Sequence, residues 1–573
     1  MSQPEIMSIL FKVLFFISGI LLTSSCVNPS SEIKKKKPYN IVWLVAEDLS
    51  PYIPVYGDST IETPHISRLA EEGIVYTNVY STSGVCAPSR ATLATGMYHN
   101  SIGAHNMRTL NSDQFITQYG FSSYEVVPPA EVKMMSQILR ENGYYCTNNA
   151  KTDYQFIPSV TAWDESSPYA HWANRPVGKP FFSVYNFDIT HESQFFGPTS
   201  RRHLRFNENF PPPRTTPIPP WGESIDSSEW ELLLPPTADV SVPPYLMDDS
   251  VTRDDIRRMY SNIIAMDKQV GLLMQKLEED GLLDSTIIFW YTDHGGPLPR
   301  QKRLMYDAGL RVPMIVRYPD GYKAGKRVDE LVSFVDFAPT VYSIAGIKPP
   351  DYLQGRAFLG AFEGNEKRKY IHAASDRLDS EYDMIRAVKD DRYKYLKNFR
   401  PELPYYMPLE YREGIKSMQQ LLAGKEAGIL NDYQEQWFRT SKPEEELFDT
   451  WNDPHELNNL ANNPIYQDKL KELRVECERW MKEIADMGFI PEKELAEKFN
   501  PGGVQPVTEK PIIKLKGDSI YVQSPTQGAS LGFRLNENEP WLPYTKPLFN
   551  SHHKIFFIAH RLGYKPSDEV SFE

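Results

Sequence analysis

Three short stretches of this chain carry residue types that do chemistry, and each follows or opens a strongly patterned run. Asn40 to Val45 (NIVWLV) leads into Ala46, Glu47 and Asp48, and Ser285 to Tyr291 (STIIFWY) leads into Thr292, Asp293 and His294. Such short apolar runs are the pattern of strands buried on both faces of a parallel sheet. Open α/β sheets place their ligands beyond the carboxyl ends of those strands. The third stretch is Ser81 to Gly96 (STSGVCAPSRATLATG), with Cys86-Ala87-Pro88-Ser89-Arg90 inside it. Pro88 suits the first turn of a helix, so Cys86 is expected just before an N-terminus, where free N–H groups favour an anion. The plain alternatives are a buried structural cysteine and a pair of solvated carboxylates.

Several further elements are needed to bring these groups together. Thr63 to Ala70 reads as a Pro-initiated helix closed by Gly73, and Val75 to Tyr80 as the strand that feeds Cys86. Val132 to Asn142 has helical spacing and is followed by a short strand, Tyr144 to Thr147, that leads to Lys151, Thr152 and Asp153. Lys179 to Phe187 is another buried strand, with Asp188-Ile189-Thr190-His191 at its end. The clearest amphipathic helix is Arg253 to Asp280, where Ile256, Met259, Tyr260, Ile263, Met266, Val270, Leu273 and Leu277 recur at three and four, the spacing of a core-facing stripe. The loop Met97 to Arg108 is rich in hydrogen-bonding groups; His105 and Arg108 either contact substrate or hold the loop.

At 573 residues the chain exceeds one core. Its net charge of -13 excludes general nucleic-acid binding and requires that any anionic substrate be met by a local positive site. Ile6 to Leu22 is apolar and short, and Thr23-Ser24-Ser25-Cys26 follows, the pattern of a signal peptide. Cys26 resembles the acylated cysteine of a bacterial lipoprotein, although Thr23 stands where such sites usually carry Leu. Residues 27–37, with four consecutive lysines, then form a basic tether. The expectation is an exported protein held in the periplasm or at the cell surface by a lipid on Cys26, with no disulfide framework. Residues 211–244 are Pro-rich and read as a surface excursion.

The Cys86-Ala87-Pro88-Ser89-Arg90 segment resembles the signature of the type I sulfatases, in which that cysteine is oxidised to formylglycine, the nucleophile. Thr63 to Gly73 is similar to a family stretch, Lys151 matches the sulfate-binding lysine, and His191 matches the histidine near the leaving group. Asp293-His294-Gly295, with Lys302 four places before Tyr306, resembles the second signature. Leu331 to Gly346 resembles the strand and helix that close the first domain, and Glu446 to Leu460 resembles an element of the second. Three positions depart from the pattern: Glu47 stands for Asp, Asp153 for His and His294 for Asn. The sequence resembles the heparan N-sulfatase-like branch, within the alkaline-phosphatase-like superfamily.

The resemblance implies an α/β fold with a mixed, mostly parallel sheet between helices over residues 38–365. A smaller subdomain with an antiparallel sheet would follow at 366–500, and a small β-sandwich at 501–573. It implies a divalent cation, calcium first with magnesium or manganese as alternatives, held by Glu47, Asp48, residue 86, Asp293 and His294. Arg90, Lys151 and Lys302 would hold the sulfate, His191 or Lys302 would serve as acid, and His105, Arg108 and Asp153 are candidates for substrate contact. The implied partners are a sulfated saccharide, of ulvan or heparan type, and a formylglycine-generating enzyme. A phosphodiester or phosphonate hydrolase of the same superfamily, and an inactive glycan-binding relative, are the competing readings.

Overall fold

A computed structural model describes residues 38–110, 113–195, 234–550 and 553–573. The signal peptide, the tether and residues 211–233 of the Pro-rich stretch lie outside the described residues.

The apolar runs become the centre of a nine-stranded sheet. Its strands are β1 (Asn40–Ala46), β2 (Gly73–Tyr80), β3 (Tyr145–Asn149), β4 (Glu165–Ser166), β5 (Phe181–Phe187), β6 (Thr286–Thr292), β7 (Arg311–Arg317), β8 (Lys326–Val328) and β9 (Val332–Ser333), in the order β4-β3-β5-β1-β6-β7-β2-β8, with β9 also on β2. β1 is buried along its whole length and sits between two parallel neighbours. Alternate residues therefore feed two separate cores. Val42, Leu44 and Ala46 pack on the side of helix α4 (Ser250–Glu279), against Met259, Ile263 and Met266. Ile41, Trp43 and Val45 pack on the opposite side, with Ile138 and Leu139 of α3 (Met135–Glu141) and Val341 of α5 (Phe337–Ile344). The expected sheet sandwiched by helices is what forms.

Register gathers the site. Ala46 of β1 lies opposite Phe187 of β5 and Thr292 of β6, so the segments that follow these three residues leave the same sheet edge side by side. β7 runs antiparallel to β6 and to β2. That reversal makes the connection from β6 to β7 a loop at the same edge, and Lys302 is in it.

Beyond this sheet, β10 (Ile371–Ser375), β11 (Ile385–Lys389), β12 (Tyr393–Asn398) and β13 (Glu445–Asp449) form an antiparallel sheet in that order. Strands β11 and β12 form a hairpin over RAVKDDRYKYLKNF, paired from Ile385 with Asn398 to Lys389 with Lys394. Helix α6 (Gln467–Glu483) covers this sheet through Leu470, Leu473 and Cys477. Residues 512–572 form two small antiparallel sheets, one of three and one of four strands. Helix α7 (Glu492–Phe499) packs Leu495 and Phe499 against Ile102 and Tyr124, tying the C-terminal part to the loop after Gly96. No helix among the described residues is long and apolar enough to cross a membrane.

Candidate active site

Helix α2 (Cys86–Thr95) begins one residue earlier than its proline suggests. Cys86 is itself the first helical residue, Val85 is the extended cap, and Pro88 is third. A proline tolerates any place in the first turn, because those N–H groups lack intrahelical partners anyway. The turn is buried from Cys86 to Leu93, so the helix is held from all sides and points its N-terminus at the sheet edge. Gly96 closes it in the left-handed conformation at φ +71°, donating its N–H to the Thr92 carbonyl.

Cys86 Sγ lies 3.2 Å from His294 Nε2 and 4.0 Å from Asp48 Oδ1. His294 Nε2 in turn lies 3.1 Å from Asp48 Oδ1 and 3.7 Å from Asp293 Oδ1. Asp48, Cys86, Asp293 and His294 thus present four ligand-type atoms within 4.8 Å of one another, all buried. Two carboxylates and an imidazole suit a divalent cation, with the nitrogen making the set less exclusively a calcium one. The way the acids are neutralised supports the fit. Burial opposes charge on His294, yet Asp293, Cys86 and Asp48 raise it to about 10, so the cluster draws positive charge to its centre. Burial would raise Asp48, but Lys302 and His294 outweigh it and hold that carboxyl below its usual range.

Glu47, expected among the metal ligands, is paired with cations in this structure. Its carboxylate turns from the quartet toward Lys151 Nζ, 2.5 Å away, and Arg90 Nη2, 3.6 Å away. The backbone is pinned here, the Glu47 N–H donating to Thr190 Oγ1 at 3.1 Å and the Asp48 N–H to Asp293 Oδ1 at 3.2 Å. It still groups with Cys86 and His191. Burial raises its carboxyl despite Lys151 and Arg90.

Cations surround this acidic centre. Arg90 Nε donates to Asp293 Oδ2 at 3.0 Å and Nη1 to Asn186 Oδ1 at 2.7 Å, while its buried Nη2 has no hydrogen-bond partner. Lys302 Nζ reaches both oxygens of Asp48, at 2.9 and 2.7 Å, and lies 3.2 Å from His191 Nε2. Burial, then the nearby Lys302 and Lys151, push His191 well below its ordinary value, so its Nε2 accepts from the Lys302 ammonium. Burial alone would favour neutral Lys302, but Asp48, Cys86 and Glu192 hold its proton on.

Of the three residues considered for substrate contact, the structure brings two to the rim. Asp153 is exposed, with φ +62°, and lies in the electrostatic range of Arg90 and Lys151. Arg108 is partly exposed, binds Asp379 Oδ1 through Nε at 2.5 Å and has its guanidinium 5.9 Å from the Tyr411 ring. The Tyr411 ring is 6.3 Å from that of His191. His105 is not brought there. It is 3 % exposed and sits among His99, Asp376 and Asp486, holding the loop against the second sheet.

Two members escaped sequence reasoning. Glu192 accepts from both Arg303 Nη atoms at 2.8 and 2.7 Å, lies 3.0 Å from Lys302 Nζ, and donates its N–H to Asp48 Oδ2 at 2.7 Å. The available signal was adjacency: Glu192 follows His191 and Arg303 follows Lys302, but only the fold sets them opposite each other.

A sulfatase family model matches residues 39–164 and 147–347. The chain belongs to the sulfatase family. A second model, for the C-terminal part of N-sulphoglucosamine sulphohydrolase, matches residues 300–421. An ulvan-active sulfatase of Formosa agariphila is 50% identical over 94% of this sulfatase and 92% of its own length. Human N-sulphoglucosamine sulphohydrolase is 25% identical over 81% and 95%. Among solved structures, BT4656 in complex with its substrate D-glucosamine-2-N,6-O-disulfate superposes with a TM-score of 0.55 at 21% identity, covering 80% of this chain and 100% of that one, a likeness of fold. The protein is accordingly a sulfuric ester hydrolase.

Proposed function

We propose that this sulfatase removes sulfate from a saccharide derived from a sulfated polysaccharide, ulvan in first place, with residue 86 matured to formylglycine. The observation that carries the reading is the meeting of Cys86 with Asp48, Asp293 and His294 on one side and with two lysines on the other. The ulvan assignment leans on the relative that shares half its residues with this chain.

Matured residue 86 supplies the oxygen nucleophile, and a divalent cation held by Asp48, residue 86, Asp293 and His294, calcium before magnesium or manganese, lowers the pKa of that oxygen when bound. The chain's own side chains do the rest. A sulfate ester repels nucleophiles by its charge, so Lys151, Lys302 and Arg90 neutralise and align its oxygens. Arg90, fixed by Asp293 and Asn186, keeps one buried N–H group unspent for an oxygen at residue 86. Sulfur–oxygen cleavage leaves an alkoxide on the sugar. Lys302 is the acid for it: its ammonium, held 3.2 Å from His191 Nε2, gives a proton directly to the leaving oxygen while His191 orients it. Asp153 and Arg108, at the rim, meet the rest of the saccharide.

The same reading includes export, with a lipid on Cys26 and residues 27–37 as tether, and division of the chain at 365/366 and 500/501. The deciding experiment is sulfate release, followed by ion chromatography, from ulvan, heparan, chondroitin and carrageenan fragments by protein co-expressed with a formylglycine-generating enzyme. Release from ulvan fragments, lost in Cys86→Ala, is the expected result. Hydrolysis of phosphodiesters to monoesters without sulfate release would overturn it.

A further inference from the structure

A second cavity, of about 330 Å³, lies on the other side of the loop that carries Lys302. Arg300 and Arg303 both take left-handed backbone, at φ +63° and +75°, and the loop presents two faces. Lys302 and Arg303 go to Asp48 and Glu192 in the active site, whereas Arg300 donates to the carbonyls of His455 and Glu456, both at 2.9 Å, and Tyr306 lines the second cavity with it. Non-glycine residues adopt that backbone at a cost, and such strain is concentrated where it serves a site.

The walls combine flat aromatic faces with hydrogen-bonding groups. Trp437 is 3 % exposed, lines the cavity, and its indole N–H has no partner. A buried donor left unpaired is destabilising, so a group of this kind calls for a ligand or water. Glu446 accepts from Asn398 Nδ2 at 2.8 Å and from Tyr306 Oη at 3.5 Å, and its carboxylate has further lone pairs to accept from a ligand. Arg439, exposed among the lining residues, makes no ion pair with any described residue. The volume falls in the about 300–1,000 Å³ range of small-ligand sites.

We propose that this cavity is a non-catalytic subsite for one sugar ring of the anionic polysaccharide, with Trp437 and Glu446 meeting its hydroxyls and Arg439 its negative substituent. The inference rests on the reading of the protein as a polysaccharide sulfatase. Occupancy at a second point raises the effective concentration of chain at the active site, so the gain appears on polymer and not on short fragments.

Asn458 lines the mouth and its side chain is exposed, so Asn458→Trp blocks the cavity, and Arg439→Glu reverses its free charge. For both variants, KM for sulfate release from polymeric ulvan is expected to rise about tenfold, while kcat and all constants on a sulfated disaccharide, and the melting midpoint, stay as in the parent. In parallel, Cys86→Ala protein run through a gel containing ulvan is expected to be retarded, and to lose most of that retardation when Asn458→Trp or Arg439→Glu is added. Unchanged polymer KM and unchanged retardation in both folded variants would overturn the subsite. If the parent releases no sulfate from any ulvan fragment, the substrate reading fails, and the gel alone then decides the cavity.

Discussion

Replacing Glu192 with glutamine tests how the active site keeps its lysine in place. The carboxylate is buried, paired with both Arg303 nitrogens at 2.8 and 2.7 Å and set 3.0 Å from Lys302 Nζ. Glutamine keeps the shape and one acceptor but removes the charge. Arg303 then keeps Asp379, at 3.9 Å, as its remaining ion pair and stays buried. Removing one partner of a buried pair costs about 3–5 kcal/mol, and the retained acceptor puts this variant near 3. Lys302, released from one of its two carboxylate anchors, is left with Asp48 and His191. A displacement of about 1 Å at a positioned group costs on the order of 100-fold in rate. The assay pairs guanidinium unfolding with sulfate-release kinetics, and adds the double variant Glu192→Leu/Arg303→Met. The pair of apolar replacements removes both charges at once, so stability is expected to recover while kcat does not. A kcat within twofold of the parent in Glu192→Gln, or a double variant no more stable than the single one, would refute the reasoning.

Other outcomes follow from the same structure. Cys86→Ala is expected to fold with an unchanged melting midpoint and release no sulfate, and the peptide spanning residue 86 of active protein should show by mass spectrometry the aldehyde and not the thiol. Chelation is expected to abolish activity and lower the melting midpoint, with both restored by calcium ahead of magnesium or manganese; a protein equally active after exhaustive chelation contradicts the buried acid cluster as a cation site. Burial raises Glu125 to about 7, with the Ile157 N–H and Gln505 partly opposing this. From the ordinary 4.5 to 7 the unfolded chain ionises first, so this group lowers stability as pH rises across that window, by about 3 kcal/mol in all, and contributes nothing further above it. Glu125→Gln should flatten that slope in unfolding titrations between pH 4.5 and 7. His105→Gln, at a position buried away from the site, should lower stability by about 1 kcal/mol or more while leaving KM unchanged, and a raised KM would return His105 to the substrate.

The element pattern was legible where one local rule dominates. β1, β5 and β6 were readable because a strand buried on both faces must be apolar throughout, and α4 because its stripe repeats at helical spacing. Boundaries moved by a residue or two: α2 takes in Cys86 because first-turn N–H groups need no helical partner, which leaves the start to packing. β7 was harder to place in topology, since nothing local in Arg311–Arg317 says that it runs against β6.

The sequence by itself determined the chemistry available to this protein: a cysteine in a helix-starting context, carboxylates at strand ends, and a few cations in an acidic chain. Those are properties of residue types and short spacings, which a linear string carries in full. Tertiary structure alone decided which of them meet. It turned Glu47 to Lys151 while sending its neighbour Asp48 to Lys302, sealed His105 beside the second sheet, and set Glu192 against Arg303, 111 residues away in the chain. Strand register and backbone hydrogen bonds settle those directions, and both depend on pairings between segments too far apart for any local pattern to encode.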